Sequence, residues 1–209
     1  MRTSFPGADA DAGVDRPALP AVDAIVVGAS AGGVEALLKI FRLLPKGYRL
    51  PIITVLHLPD ERRSLLADVF SAHVPIPVKE AADKEPIAPG TLYFAGPGYH
   101  LSVEADLSLS LSQEERVFFS RPSIDILFES AADAYDSRLA GVLLTGANND
   151  GAQGMARIKE YGGLTVVQDP ASALVRTMPD AALALRTPDF LLPLPDIGRL
   201  LVELERIAC

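Results

Sequence analysis

The sequence predicts an α/β protein: a doubly wound, mostly parallel sheet with helices on both faces and an antiparallel hairpin excursion at about 91–111. Three observations predict it. Short continuous apolar runs recur and stop at small residues, as strands buried on both faces do. Segments with apolar residues at helical spacing lie between them, so strand and helix alternate. In the middle of the chain the runs become shorter and partly alternating, the pattern of antiparallel pairs.

Ala24-Ile-Val-Val-Gly28 is the first such run, and Val34 to Leu44 follows with apolar Val34, Leu37, Leu38 and Phe41 before Pro45. Pro51 to Leu56 is a second buried strand, with a helix from about Glu61 to Ser71 after it. Thr91 to Ala95, His100 to Glu104 and Leu107 to Leu111 are the hairpin material, with Gly-Pro-Gly between the first two. The alternation then resumes. Helices are expected at Ser123 to Ala134 and Asp150 to Tyr161, partial helix at Ala171 to Leu185, and an amphipathic helix at Ile197 to Ile207. Strands are expected at Leu139 to Leu144, Leu164 to Val167 and Phe190 to Leu194. No repeat and no second-domain boundary is visible. Residues 1–23, rich in Ala, Asp, Pro and Gly, are expected to be a disordered lead-in, and 24–209 one domain.

The net charge of −8 argues against nucleic acid as a partner, because phosphate recognition starts from a basic face. No apolar run is long enough for direct membrane insertion. The N-terminal segment has neither the basic flank nor the apolar stretch of a secretory signal. With Cys209 the only cysteine, an internal disulfide is impossible, and a cytoplasmic location is expected.

Candidate chemistry collects at strand ends. Gly28-Ala-Ser30-Ala-Gly32 matches G-x-S-x-G between a buried strand and a helix, the context that pattern needs. Small neighbours let the turn be sharp and leave Ser30 standing clear, and the helix start behind it offers unpaired N–H groups to an oxyanion. Ser30 could equally cap the helix, or the loop could grip phosphate, although its spacing departs from G-x-G-x-x-G. His57 ends the second strand, where a dinucleotide-binding protein more often carries an acid for the ribose, so no nicotinamide or flavin cofactor is expected. It is a candidate base, or else a buried histidine with its bonds satisfied. Asp150 follows the strand Leu139 to Leu144. It could cap the helix it begins, or accept a hydrogen bond from the far ring nitrogen of His57 and fix its tautomer.

His73 reads as surface, and His100 opens a hairpin strand, where it could line a cleft but more often would not. Arg116, Arg121 and Arg138 read as solvated charges. No Cys, His or acidic spacing suggests a metal site.

The chain resembles the catalytic domain of bacterial chemotaxis protein-glutamate methylesterases, in order, from Ala24 to about Leu194. The segments that carry the resemblance are Val27-Gly-Ala-Ser-Ala-Gly-Gly-Val-Glu-Ala36, Leu56-His-Leu-Pro59, Lys79-Glu-Ala-Ala-Asp83 and Pro89-Gly-Thr-Leu-Tyr-Phe-Ala95. Further along they are Arg121-Pro-Ser-Ile-Asp-Ile-Leu-Phe128, Leu144-Thr-Gly146, Asn149-Asp-Gly-Ala152 and Thr177-Met-Pro179. The resemblance implies Ser30 as nucleophile, His57 as base and Asp150 as orienting acid, with Ala31, Ala147 and Met178 at the oxyanion and substrate-binding positions. It implies hydrolysis of glutamate methyl esters on cytoplasmic helices of methyl-accepting chemoreceptors, deamidation of glutamine there as a second reaction, and no cofactor.

The family's usual receiver domain is not within these 209 residues, so activity without phosphorylation is expected, with a separate response regulator as a further candidate partner. The chain departs from the family at Ala147-Asn148, at Asp180 and over Pro59 to Ser64. Ala147 can still supply a backbone donor. If position 148 needs a left-handed backbone, Asn148 tolerates it better than most residues. A family enzyme acting outside chemotaxis, a silent adaptor for receptor helices and a nucleotide-binding domain remain the other readings.

Overall fold

The structure is a computed structural model and describes residues 19–57 and 65–208. Seven strands form the main sheet in the order β10-β9-β8-β1-β2-β5-β3, and all pair in parallel. Their ranges are β1 Ala24–Ala29, β2 Ile52–Leu56, β3 Val78–Glu80, β5 Leu92–Phe94, β8 Leu139–Leu143, β9 Leu164–Gln168 and β10 Phe190–Leu192. The central three, β2, β1 and β8, are wholly buried, which explains why they read as unbroken apolar runs. A second sheet, β4-β7-β6, is antiparallel and built from β4 Glu85–Pro86, β6 His100–Val103 and β7 Ser108–Ser112.

Among the described residues six α-helices cover the main sheet: α1 Gly33–Phe41, α2 Leu66–Ser71, α3 Ile124–Tyr135, α4 Ala152–Glu160, α5 Thr177–Leu185 and α6 Leu194–Ala208. The pleat of β1 divides the core in two. Ile25 and Val27 face one side with α1, α2 and α6, through Leu37, Phe41, Phe70, Leu200 and Leu204. Ala24 and Val26 face the other with α3, α4 and α5, through Leu127, Phe128, Ile158 and Met178. On the first side Phe70 lies 4.7 Å from Phe94 and 6.3 Å from Phe41, centroid to centroid. Burying each such ring contributes about 1.5–3 kcal/mol. The small sheet packs on α3 through Leu101, Val103 and Leu109, and Ser130 accepts a hydrogen bond from the Val103 N–H at 3.1 Å. The sequence-predicted fold class is therefore present.

Three local readings change. Thr91 to Ala95 is not hairpin material: Leu92–Phe94 is an interior strand of the parallel sheet, buried throughout, between β2 and β3. A three-residue run is too short for its periodicity to separate the two cases. The excursion begins instead at His100 and recruits Glu85 and Pro86 from upstream. The arginines are also more than solvated charge. Arg138 pairs with Asp23, and Arg121 Nη1 donates to the carbonyls of Gln113 and Glu114 at 3.0 and 2.8 Å. Arg116 Nη1 reaches the Phe119 carbonyl at 3.3 Å. Of the expected lead-in, residues 1–18 lie outside the described residues, while Val22 at its end is fully buried. The helix expected from Glu61 is described only from Leu66, and residues 58–64, with the whole of the Pro59 to Ser64 departure, lie outside the described residues as well.

Candidate active site

Strand register brings three loops together. Ala29 is level with Leu56 on one side, and Gly28 with Leu143 on the other. Beyond the last rungs the ladder continues by single bonds: His57 N–H to Ala29 O at 3.0 Å, Leu144 N–H to Gly28 O at 2.9 Å and Ser30 N–H to Thr145 O at 2.9 Å. The residues after β1, β2 and β8 therefore emerge side by side at the carboxyl edge, where open α/β sheets place ligands.

After Ser30 the chain turns sharply into α1. Ser30 O accepts from Gly33 N–H at 2.7 Å, and Gly32 at φ 80° is the left-handed residue that the turn requires. Ser30 is half-buried and Ala31 exposed. Thr145 braces the turn from the next loop, its hydroxyl 2.8 Å from the Ala31 carbonyl and 3.1 Å from that of Val175. Among the described residues, the N–H groups of Ala31 and Ala147 take part in no hydrogen bond.

Asp150 is fully buried and receives four hydrogen bonds. Oδ2 accepts from His57 Nε2 at 2.8 Å and Ile124 N–H at 2.7 Å; Oδ1 accepts from Ser123 Oγ and Asp125 N–H, both at 2.9 Å. Asp150 thus caps a helix, but not the one it begins. Its carboxylate sits at the amino end of α3, where unpaired N–H groups and the positive dipole end favour an anion. Gly28 makes this approach possible, since a Cβ there would lie 2.4 Å from Ile124 Cγ2. The amino end of α4 is served in return by α3: Asp125 Oδ1 accepts from Gly154 N–H at 2.8 Å. The α3 end thus takes its carboxylate from the loop that leads into α4, and the α4 end takes its own from α3.

The two carboxyls ionise differently. Burial pushes Asp150 up, but the hydrogen bonds from His57 and from the Asp125 and Ile124 N–H groups, with the charge of His57, hold it below the usual carboxylate range. Burial pushes Asp125 up to about 7, with the charges of Asp150 and Glu129 adding and the Gly154 and Gly151 N–H groups opposing.

The other ring nitrogen of His57, Nδ1, has Ser120 Oγ at 3.4 Å, and among the described residues no hydrogen bond joins it to Ser30 Oγ. No motif in the sequence points to Ser120. It stands at the base of a tight turn closed by Val117 N–H to Ser120 O at 3.1 Å and Ser120 N–H to Val117 O at 2.8 Å. The tip of that turn holds Phe118 and Phe119 at φ 46° and 64°. His100 is also a structural member of this region, fully buried, with Ser123 N–H and the Glu115 carbonyl as its partners.

Ala147 is exposed in the loop after β8. Asn148 needs no left-handed backbone, for it is not among the residues with positive φ. Its Oδ1 instead accepts from Asp150 N–H at 3.2 Å, an Asx turn, and its Nδ2 lies 3.5 Å from Ser120 Oγ. Met178 is fully buried beneath the same loop, its N–H bonded to Gly146 O at 3.0 Å. A Cβ on Gly146 would meet its side chain at 2.4 Å. Among the described residues no three His, Cys, Asp or Glu side chains converge as a metal site, and no helix is long and apolar enough to cross a membrane.

This geometry coincides with a family model described as CheB methylesterase, which matches residues 25–201. The chain belongs to the CheB methylesterase family. The methylesterase relatives bear this out. The chain is 45% identical over 184 residues to a Leptospira interrogans protein provisionally named protein-glutamate methylesterase/protein-glutamine glutaminase, covering 88% of this chain and 95% of that one. It is 32% identical over 185 residues to the Clostridium acetobutylicum protein-glutamate methylesterase/protein-glutamine glutaminase, again 88% of this chain but 54% of that one, so it spans about half of that relative. The crystal structure of the Thermotoga maritima CheB methylesterase catalytic domain superposes with a TM-score of 0.84 at 32% identity, over 88% of this chain and 100% of that one. The family is one of hydrolytic enzymes, and its fold is the one described above.

Proposed function

We propose that the chain hydrolyses glutamate methyl esters on cytoplasmic chemoreceptor helices, with Ser30, His57 and Asp150 as its catalytic residues. The observation that carries this reading is the 2.8 Å contact between His57 Nε2 and a buried, four-times hydrogen-bonded Asp150, at the strand end next to the Ser30 turn. With Nε2 donating to Asp150, Nδ1 is left to act as the base. It takes the Ser30 proton as Oγ attacks the ester carbonyl, and the imidazolium then protonates the departing methoxide. Water, deprotonated by the same nitrogen, cleaves the acyl-enzyme and leaves glutamate. A primary amide would follow the same route and release ammonia, which is glutamine deamidation. The free N–H groups of Ala31 and Ala147 are the candidate donors to the oxyanion, and Met178 supports the Ala147 loop from below. The substrate and a cytoplasmic setting rest on the family, as does a separate response regulator as a second partner.

A second reading makes Ser120 the nucleophile, since its hydroxyl is the one nearest His57 Nδ1. A fluorophosphonate probe separates the two. After digestion, mass spectrometry should find the adduct on the Ser30 peptide, and Ser30→Ala should abolish both labelling and methanol release from methylated receptor membranes. An adduct on Ser120 that survives Ser30→Ala would transfer the role to Ser120.

A further inference from the structure

We propose that His100 is a positioning residue of this reaction, setting Ser123 and through it Asp150; the inference rests on the triad reading above. His100 opens β6, paired with Ser112 of β7, and its side chain is fully buried against the amino end of α3. Its two nitrogens do different work. Nδ1 accepts from Ser123 N–H at 3.1 Å, and Nε2 faces the Glu115 carbonyl at 3.0 Å. A carbonyl only accepts, so Nε2 carries the hydrogen and Nδ1 is free to accept. The Ser123 N–H belongs to the cap residue of α3, with no partner of its own in the helix.

Ser123 is equally buried and passes the constraint on. Its Oγ donates to Asp150 Oδ1 at 2.9 Å while accepting from Ile126 N–H at 3.4 Å. The Asp125 and Ile124 N–H groups that complete the Asp150 cradle are the next two along the chain. A histidine that merely filled space would place no such demand. Here one nitrogen fixes the peptide that begins the cradle, and the other fixes the irregular segment leading to Ser120. The antiparallel sheet, remote from the reacting atoms, is thereby tied to the acid of the triad.

The two nitrogens can be removed separately. In His100→Asn the amide oxygen falls near Nδ1 and still accepts from Ser123, whereas in His100→Gln the amide nitrogen falls near Nε2 and serves only Glu115. Methanol release from methylated receptor membranes would be measured for both, with thermal melting to confirm the fold. The glutamine variant should lose about 10- to 100-fold in kcat at unchanged KM, the cost of a misplaced catalytic group, while the asparagine variant stays within about threefold. Ser123→Ala should reproduce the loss, and the double variant His100→Gln with Ser123→Ala should lose no more than either alone.

Equal losses in the two His100 variants, an effect on KM alone, or losses that multiply in the double variant would overturn the proposal. Should the glutamine variant not fold, Ser123→Ala decides: wild-type kcat there refutes the link to Asp150. Ser30→Ala is run alongside. If it remains active, the triad reading has failed rather than the role of His100.

Discussion

Replacing Asp125 by Asn should make the stability of this protein less dependent on pH. Asp125 is buried at the joint of α3 and α4, and burial raises its carboxyl from 3.8 to about 7 in the folded protein. The folded state therefore keeps a proton that the unfolded chain releases. For an acid with a raised folded value, stability begins to fall as pH passes the unfolded value near 4, and stops falling above about 7. A separation of about 3 pH units, at 1.36 kcal/mol each, amounts to about 4 kcal/mol over the full range. Roughly 2.5 kcal/mol of it falls between pH 5 and pH 8, because the unfolded carboxyl is already largely ionised at the lower limit.

The asparagine keeps an oxygen for Gly154 N–H and cannot ionise, so that loss is absent from the variant. Whatever constant cost the amide brings is the same at every pH and cancels in the slope. Asp150 does not confuse the comparison. Its folded value is depressed, so its contribution is complete above about pH 4 and is lost only as pH falls further. Urea unfolding of both proteins at about pH 5, 6, 7 and 8 reads the effect directly. The variant should gain on the wild type by about 2–3 kcal/mol across that interval. A gap that stays constant within about 0.5 kcal/mol would refute the idea that Asp125 is held protonated in the fold.

Asp150→Asn should cost both rate and stability. All four partners of the carboxylate are donors, two to each oxygen, so the amide nitrogen must face two of them whichever way it turns. A fall in kcat of about 10³- to 10⁴-fold and a loss of about 1–3 kcal/mol in denaturant unfolding are expected, and a variant as stable as wild type would contradict the cradle. Asn148→Gly removes the Asx bond to Asp150 N–H and should slow turnover by about fivefold, or about 1 kcal/mol of barrier, while Asn148→Asp keeps the acceptor and most of the rate.

Ser30, His57 and Asp150 could be singled out in the sequence because each follows a run of apolar residues that only a buried strand explains. Parallel register then does the rest, and that register is fixed by the runs themselves. What remained hidden depends on contacts between distant segments. Nothing local to Asp150 says that it caps a helix beginning 26 positions earlier along the chain, at Ile124. The Ser-Ile-Asp at the α3 start is legible as a motif, but the N–H groups of Ile124 and Asp125 acquire their partner only when α3 is brought up to Asp150. The short run at Thr91 to Ala95 misled because the three strand residues within it, Leu92–Phe94, are all buried and carry no period. Asn148 misled because a side-chain acceptor, rather than the backbone conformation, is what its loop uses.

The exchange between α3 and α4 resolves a difficulty that the site would otherwise face. A catalytic acid beside a histidine must stay ionised, yet here a second carboxyl lies within reach of the same helix ends. Two buried anions so close would oppose each other, and one would take up a proton. The donors decide which. Both are buried, but Asp150 collects two N–H groups from the positive end of α3, a hydroxyl and the imidazole, whereas Asp125 has only the N–H groups of Gly154 and Gly151. The charge therefore rests on the carboxyl that touches His57, and the proton on the one that does not. A neutral Asp125 can still accept from Gly154, so α4 keeps its cap while Asp150 keeps its charge. Separating the two carboxyls in this way leaves a single buried negative charge at this joint, on the carboxylate that His57 Nε2 touches at 2.8 Å.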